Sequence, residues 1–401
     1  MTGSAGDDPG AGPRAPVYGH FDCLRGRALC GWAWRPDEPA ARVAVTATVD
    51  GVPVAESVAA LHRPDLEAAG IGDGIHSFAL LLPEAVMDGG EHEVAVLGED
   101  GVPLLGSPAR LRLPSLRFHP VPADDGPYRF ELAVCCVAKN EGPYLLEWIA
   151  YHRCVGVEHI LVFDNDSDDA SSTLLSRLAG LGVLEHVPWP TAAGRWPQPT
   201  AYAEGLRRLR DQARWIAFID LDEFLNPLEG DDVRAVLRDH ADAAGLVVPW
   251  RLFGSSGEQE RRDDFVIRRF TRRAAAADPL NHAVKTIVRG RFAREIGVHT
   301  PVLSEGCLVD EHGRIVGAFG DPDHHPVPEA RRLVLNHYFG KSRAEWEVKK
   351  RRGRADGPGT RTDRVFEVHD RNDEPDTRIL RHLDAMTAEI ARLEALLGTL
   401  P

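Results

Sequence analysis

Trp215 to Leu225 reads WIAFIDLDEFL, an apolar run ending in Ile219 followed by three carboxylates, Asp220, Asp222 and Glu223, within four positions. The apolar part is continuous, not alternating, which is the pattern of a strand buried on both faces. LAVCCVA at 132–138 and HILVF at 159–163 share it, and VLEHVPW at 183–189 is a further candidate. Helical spacing separates these runs. In EGPYLLEWIAYHRCVG (141–156), Leu145, Leu146, Trp148, Ile149 and His152 recur at helical steps, and PTAYAEGLRRLRDQA (199–213) reads as a second helix. Strands alternating with helices predict a sheet with helices on both faces, whose ligands lie beyond the carboxyl ends of the strands.

Polar and acidic side chains sit at those ends: Lys139, Asn140 and Glu141 after the first strand, Asp164, Asn165, Ser167 and Asp168 after the second, and Asp220, Asp222 and Glu223 after the last. Two carboxylates one residue apart supply hard oxygen donors suited to Mg²⁺ or Mn²⁺, which would in turn hold a diphosphate. Asp164 is placed to accept hydrogen bonds from a ribose or a base, while Ser167 or Asp168 would cap the helix in ASSTLLSRLAGLG.

Outside this region the chain is built differently. Residues 1–16 (MTGSAGDDPGAGPRAP) carry no apolar block and are expected to be a disordered tail. Residues 17–114 hold short alternating runs ending in Asp-Gly turns, the signature of a β-sandwich. Within it Trp32 and Trp34 share one face, expected as core and not as a carbohydrate platform. Residues 115–130 are Pro-rich and unpatterned, a linker. Near the carboxyl end, Ile379, Leu383, Met386, Ile390, Leu393 and Leu397 mark an amphipathic helix that packs on the domain or pairs between chains.

The formal charge of −14 argues against a nucleic-acid partner. No window reaches the roughly 20 apolar residues of a membrane span. Sparse cysteines and no export signal lead us to expect the cytoplasm, with peripheral contact at the inner face of the membrane open to the basic run 341–354. GDPDHHP (320–326) reads equally as a metal site or an exposed loop.

Six blocks, from VAKNEGPYLLEWIAYHRCVGVEHILVFDNDSDD through RWIAFIDLDEFL, VPWRLFGSSG, HAVKTIVRG and IGVHTP to LNHYFGKSRAEWEVKKRRG, resemble in order the motifs of glycosyltransferase family 92 and its bacterial relatives over residues 131–356. The all-β segment 17–114 is similar to a module attached to bacterial glycosyltransferases. The resemblance implies a GT-A fold, Rossmann-like with a mixed sheet and flanking helices. It also implies an inverting transfer of a sugar, often galactose, from a UDP-sugar to a glycan acceptor with Mn²⁺ (or Mg²⁺), in surface or exopolysaccharide synthesis. Asp220 and Asp222 then match the metal motif, with His337, or failing that His299, as the late histidine ligand. Lys285 and Lys341 would contact the diphosphate. Trp250, Phe253 and Gly254 would form the acceptor side, and Glu258, Asp263, Asp264 and Glu223 are all open as the general base. Residues 357–401 form a carboxyl-terminal segment. Two other functions compete: an Asp-nucleophile phosphatase, and a non-catalytic glycan-binding protein with a degenerate transferase domain.

Overall fold

The structure, a computed structural model, describes residues 15–113, 118–124, 126–191, 195–276, 278–316, 330–357 and 360–399. The GDPDHHP motif and residues 1–14 lie outside the described residues. The chain divides into two compact units at Arg117/Phe118.

The first unit pairs two antiparallel sheets over one core. β1 (Tyr18–Arg25), β2 (Ala28–Trp34) and β5 (Ser77–Leu81) form a three-stranded sheet in the order β1-β2-β5; β3 (Ala44–Val49), β4 (Val52–Val58), β6 (Glu91–Gly98) and β7 (Ala109–Arg112) form a second in the order β4-β3-β6-β7. A one-turn helix, α1 (Pro64–Ala68), precedes β5. Trp32 and Trp34 do share a face, but it is the half-buried outer one. The core face of β2 carries Leu29 and Ala33, and Gly31 between them leaves room for the Phe78 ring, which a Cβ would meet at 2.6 Å. At Gly31 the inward position has no side chain because the Phe78 ring fills the space above it.

The second unit is an α/β layer structure around a nine-stranded mixed sheet. Its strands are β8 (Phe130–Ala138), β9 (His159–Asp164), β10 (Glu185–Pro188), β11 (Ala213–Phe218), β12 (Glu223–Pro227), β13 (Gly245–Leu252), β15 (Val284–Val288), β18 (Leu308–Val309) and β19 (Leu333–His337). The order is β10-β9-β8-β11-β15-β13-β19-β12, with β18 beside β13. The half containing β10, β9, β8 and β11 is parallel, as the continuous apolar runs require, and β15 then joins both β11 and β13 in antiparallel pairs. Two short pairs lie apart from it, β14 (Arg272–Arg273) with β20 (Glu374–Pro375) and β16 (Ala293–Ile296) with β17 (Pro301–Leu303). The fold class expected from the resemblance, a mixed α/β sheet with flanking helices plus an all-β amino-terminal unit, is the one observed.

Helices α2 (Gly142–Cys154), α3 (Ser171–Gly180), α4 (Pro197–Leu209), α5 (Val233–Arg238), α6 (Val266–Arg269), α7 (Arg343–Arg352), α8 (Asp363–His369) and α9 (Leu383–Gly398) complete the unit. The apolar face of α9, with Met386, Ile390 and Leu393, is buried in the same core as α2, and Arg153 of α2 pairs with Glu389 at 2.7 Å. That face is covered within the chain. α2 in turn secures the edge strand β12: Trp148 Nε1 donates to the Glu223 carbonyl at 2.8 Å, the Tyr151 hydroxyl to the Leu225 carbonyl at 3.0 Å, and His152 Nε2 accepts from the Leu225 amide at 3.3 Å. The backbone groups that β12 leaves unpaired by the sheet are thereby satisfied. Among the described residues no helix is long and apolar enough to cross a membrane.

Candidate active site

The chain leaves β11 at Phe218, turns through Asp220 and Asp222, and re-enters the sheet at its far edge as β12. Antiparallel pairing of β12 with β19 sets Glu223 opposite His337, and the Tyr338 amide donates to the Asp222 carbonyl at 2.8 Å. Sheet register thus brings His337 Nε2 to 3.6 Å from Asp222 Oδ1. These side chains border a cleft of about 530 Å³ at the carboxyl ends of the parallel strands, also lined by Lys139, Glu141, Asn165 and Trp250.

Each carboxylate of the turn has a distinct environment. Asp220 accepts from Gln198 Nε2 (2.6 Å), the Tyr202 hydroxyl (3.2 Å) and Lys285 Nζ (3.1 Å), so both its oxygens are engaged. That disfavours it as a phosphatase nucleophile. Asp222 is buried, paired with Lys349 from α7. Burial alone would raise its carboxyl, but the Lys349 and His337 charges outweigh that cost and hold it well below the usual range. Lys349 itself is pushed down to about 8 by burial, against the pull of Asp222, and also donates to the Phe339 carbonyl at 2.7 Å. Glu223 is fully buried. Burial drives its carboxyl well above the usual range despite Lys285 at 3.5 Å, and its Oε2 accepts from the Asp220 amide at 2.8 Å. It braces the turn from beneath and cannot reach an acceptor, which removes it as general base.

The other expected bases also fall away. Glu258 is held by Arg262 and by Arg269 (2.9 Å), and Asp263 and Asp264 are exposed; none of the three lines the cleft. Phe253 is core, 4.8 Å from the Tyr338 ring, because β13 turns it inward. Gly254 packs where a Cβ would meet the Arg371 carbonyl at 2.4 Å, so of the expected acceptor residues only Trp250 reaches the cleft.

At the donor end, Asn140 and Ser167 are loop staples. The Asn140 amide donates to Ser167 Oγ (3.0 Å), its side chain donates to Asp168 (2.6 Å), and its Oδ1 accepts from the Asp168 amide (2.9 Å). Asp164 is buried, accepting from the Ser167 amide at 3.3 Å and from the Ser172 hydroxyl, and does not line the cleft. Neither Ser167 nor Asp168 caps α3, whose N-cap position is Ala170; the preceding Asp169 accepts from the Ser171 amide at 2.8 Å. Lys341 is buried with its ammonium 4.3 Å from the Tyr144 ring centroid, away from the cleft. Asn165 does border it, positioned by donation to the Trp189 carbonyl and Thr191.

Sequence reading passed over the cationic wall. Lys349 and Arg352 of α7, with Arg361 just before α8, line the cleft, and Arg352 ties the Lys139 carbonyl (2.5 Å) and Glu141 to α7. The run of Lys and Arg was visible, but the side of α7 facing the cleft was not, since a basic helix is usually a solvated face.

As a cation seat, Asp222 Oδ1 and His337 Nε2 combine a hard oxygen with an imidazole, a mixed set that suits Mn²⁺ better than the oxygen-seeking Mg²⁺, and His337 Nδ1 is buried without a hydrogen-bond partner among the described residues. Asp220 lies two positions before Asp222 but is paired with Lys285, and among the described residues no three acidic, His or Cys side chains are grouped so as to hold a metal ion. In donor type the Asp222–His337 pair fits such an ion.

The sequence model of Glycosyltransferase family 92 matches residues 131–313. A family 92 protein of Ricinus communis is 30% identical over 145 residues, covering 34% of this chain and 25% of the relative. One from Oryza sativa subsp. japonica is 31% identical over 195 residues, 45% of this chain and 32% of the relative. The chain thus spans a quarter to a third of the length of these curated relatives. Among solved structures, S. aureus TarS 1-349 in complex with UDP-GlcNAc aligns at 11% identity with a TM-score of 0.31, over 67% of this chain and 70% of that one. Mannosyltransferase PcManGT from Pyrobaculum calidifontis in complex with GDP-Man and Mn²⁺ aligns at 15% with a TM-score of 0.29, over 70% and 78%. Over residues 131–313 this chain is similar to glycosyltransferase family 92.

Proposed function

We propose that the second unit is a metal-assisted, inverting glycosyltransferase that moves a sugar from a UDP-sugar to a hydroxyl of a glycan acceptor. One observation carries the reading: a single cleft joins the Asp222–His337 donor pair to a wall of cations, Lys139, Lys349, Arg352 and Arg361. A departing nucleoside diphosphate needs both, because its oxygens gain negative charge as the bond to the sugar breaks. A Mn²⁺ or Mg²⁺ held by Asp222 and His337, with Asp220 beside them, would neutralise part of that charge when bound. The chain's own cations supply the rest. Lys349 is a point charge, while the guanidinium of Arg352 can grip two oxygens at once. Neutral Glu223 fixes the Asp220 amide and so holds the turn in place. The half-buried ring of Trp250 offers a flat apolar face to a sugar. Galactose as the donor sugar, and a part in surface or exopolysaccharide synthesis, belong to the same proposal.

The test is UDP release from a panel of UDP-sugars, with and without Mn²⁺, by the chain and by Asp222→Ala. Metal-dependent release from one donor is expected, falling at least about a hundredfold in the variant. Equal release by both proteins would refute the proposal. So would sugar binding without release from any donor, the behaviour of a non-catalytic glycan-binding protein.

A further inference from the structure

Resting on the transferase reading, we infer that His299 is the group that takes the proton from the attacking hydroxyl. An inverting displacement needs a proton acceptor on the side of the sugar away from the diphosphate. The acids expected from sequence are tied up or lie elsewhere, and the cleft's own acids are committed too. Glu141 is paired with Arg352, Asp356 with Arg354 (2.6 Å), Asp220 with Lys285, and Asp222 with Lys349.

Among the described residues, two cleft histidines besides His337 remain. His369 stacks on Phe339 at 4.4 Å, and the Lys349 ammonium lies 4.1 Å from the same ring, which puts His369 on the cationic, leaving-group wall. His299 packs instead against Trp250, with ring centroids 5.5 Å apart. Its Nδ1 is 3.0 Å from the Val284 carbonyl, an acceptor only, so Nδ1 carries the proton and Nε2 keeps its lone pair. The backbone is fixed as well: Thr286 Oγ1 donates to the His299 carbonyl at 3.1 Å, and the turn closes through the Gly297 amide on the Thr300 carbonyl at 2.9 Å. A pre-set tautomer on an anchored turn is what proton acceptance requires.

Trp250 supplies the geometry. Its ring packs against His337 at 4.2 Å and His299 at 5.5 Å between centroids, so both imidazoles border the ring on which a sugar would lie. With the diphosphate at His337, His299 is the second imidazole packed against the same ring. As the acceptor oxygen bonds to the anomeric carbon, the bond from that carbon to the diphosphate oxygen breaks and its electron pair leaves with UDP. The hydroxyl proton passes to Nε2, and the imidazolium then returns it to solvent.

Water can stand in for the acceptor, so the test needs no identified glycan. UDP release from UDP-sugars and calorimetric UDP binding are measured on the full chain, on His299→Ala and on Asp222→Ala. The expected result is a loss of about a hundredfold or more in release by His299→Ala with UDP affinity unchanged. Free imidazole should restore release in His299→Ala and do nothing for Asp222→Ala. Release by His299→Ala within about threefold of the parent overturns the assignment, as does loss of UDP binding along with rate. A parent chain that binds UDP and releases none from any donor overturns the transferase reading, and the assignment with it.

Discussion

Lys349 and Asp222 form a buried pair whose partners come from elements far apart in sequence, α7 and the turn after β11. Removing one charge from such a pair strands the other without solvent, whereas removing both leaves neither exposed to that cost. Lys349→Met should therefore lower unfolding stability by about 3–5 kcal/mol, and the double variant Lys349→Met/Asp222→Asn should recover most of it. Denaturant titration of the four proteins of this cycle measures it. Two independent losses that simply add would show that the pair is not coupled.

At the level of elements, α7 is fixed at its start by a reciprocal cap. Ser342 Oγ accepts from the Glu345 amide at 3.3 Å, and the Glu345 carboxylate accepts from the Ser342 amide at 3.1 Å while pairing with Arg269 at 2.7 Å. Ser342→Ala should cost about 0.5–2 kcal/mol in unfolding stability. Because the same helix carries Lys349 and Arg352 to the cleft, UDP binding should weaken with it, which calorimetry would show. α6 depends on a different device. Glu147 of α2 is buried and accepts from the amides of Val266 (2.8 Å) and Ile267 (3.0 Å), and burial pushes its carboxyl up from 4.5 to about 7. Between those two values the folded chain binds more protons at this site than the unfolded chain. The contribution of Glu147 to stability is therefore full below pH 4.5 and is lost as pH rises to about 7. Melting temperature against pH should show this loss in the parent, and Glu147→Gln should remove that component of the slope.

In the whole second unit, the carboxyl-terminal helix and the acidic turn are linked by packing. α9 buries Met386, Ile390 and Leu393 in the core shared with α2, α2 holds the carbonyls of Glu223 and Leu225, and β12 carries the turn's last carboxylate. Leu393→Ala should lower stability by about 2–5 kcal/mol through the cavity it leaves. UDP affinity at temperatures below the transition should be unchanged, since the cleft residues keep their own partners. Calorimetry after denaturant titration checks both halves of that expectation.

The sequence alone determined the alternation of buried strands and helices, the acidic turn at the end of β11, the all-β character of the amino-terminal unit and the amphipathic helix α9. Each is a local pattern, set by the period of apolar side chains and by the residues that end a strand, and local patterns survive without knowledge of distant partners. Only the tertiary structure decided what each acid or base can do. Glu223 and Asp222 are neighbours in sequence, yet one is held neutral beneath the turn and the other ionised beside Lys349, because β15 and α7 deliver different partners to them. His337 reaches Asp222 through the register of β12 on β19, and the His299 ring is oriented by its Nδ1 contact to the Val284 carbonyl of β15. Charge state and reach are properties of the neighbours a fold assembles, and at the cleft those neighbours come from residues up to 213 positions apart.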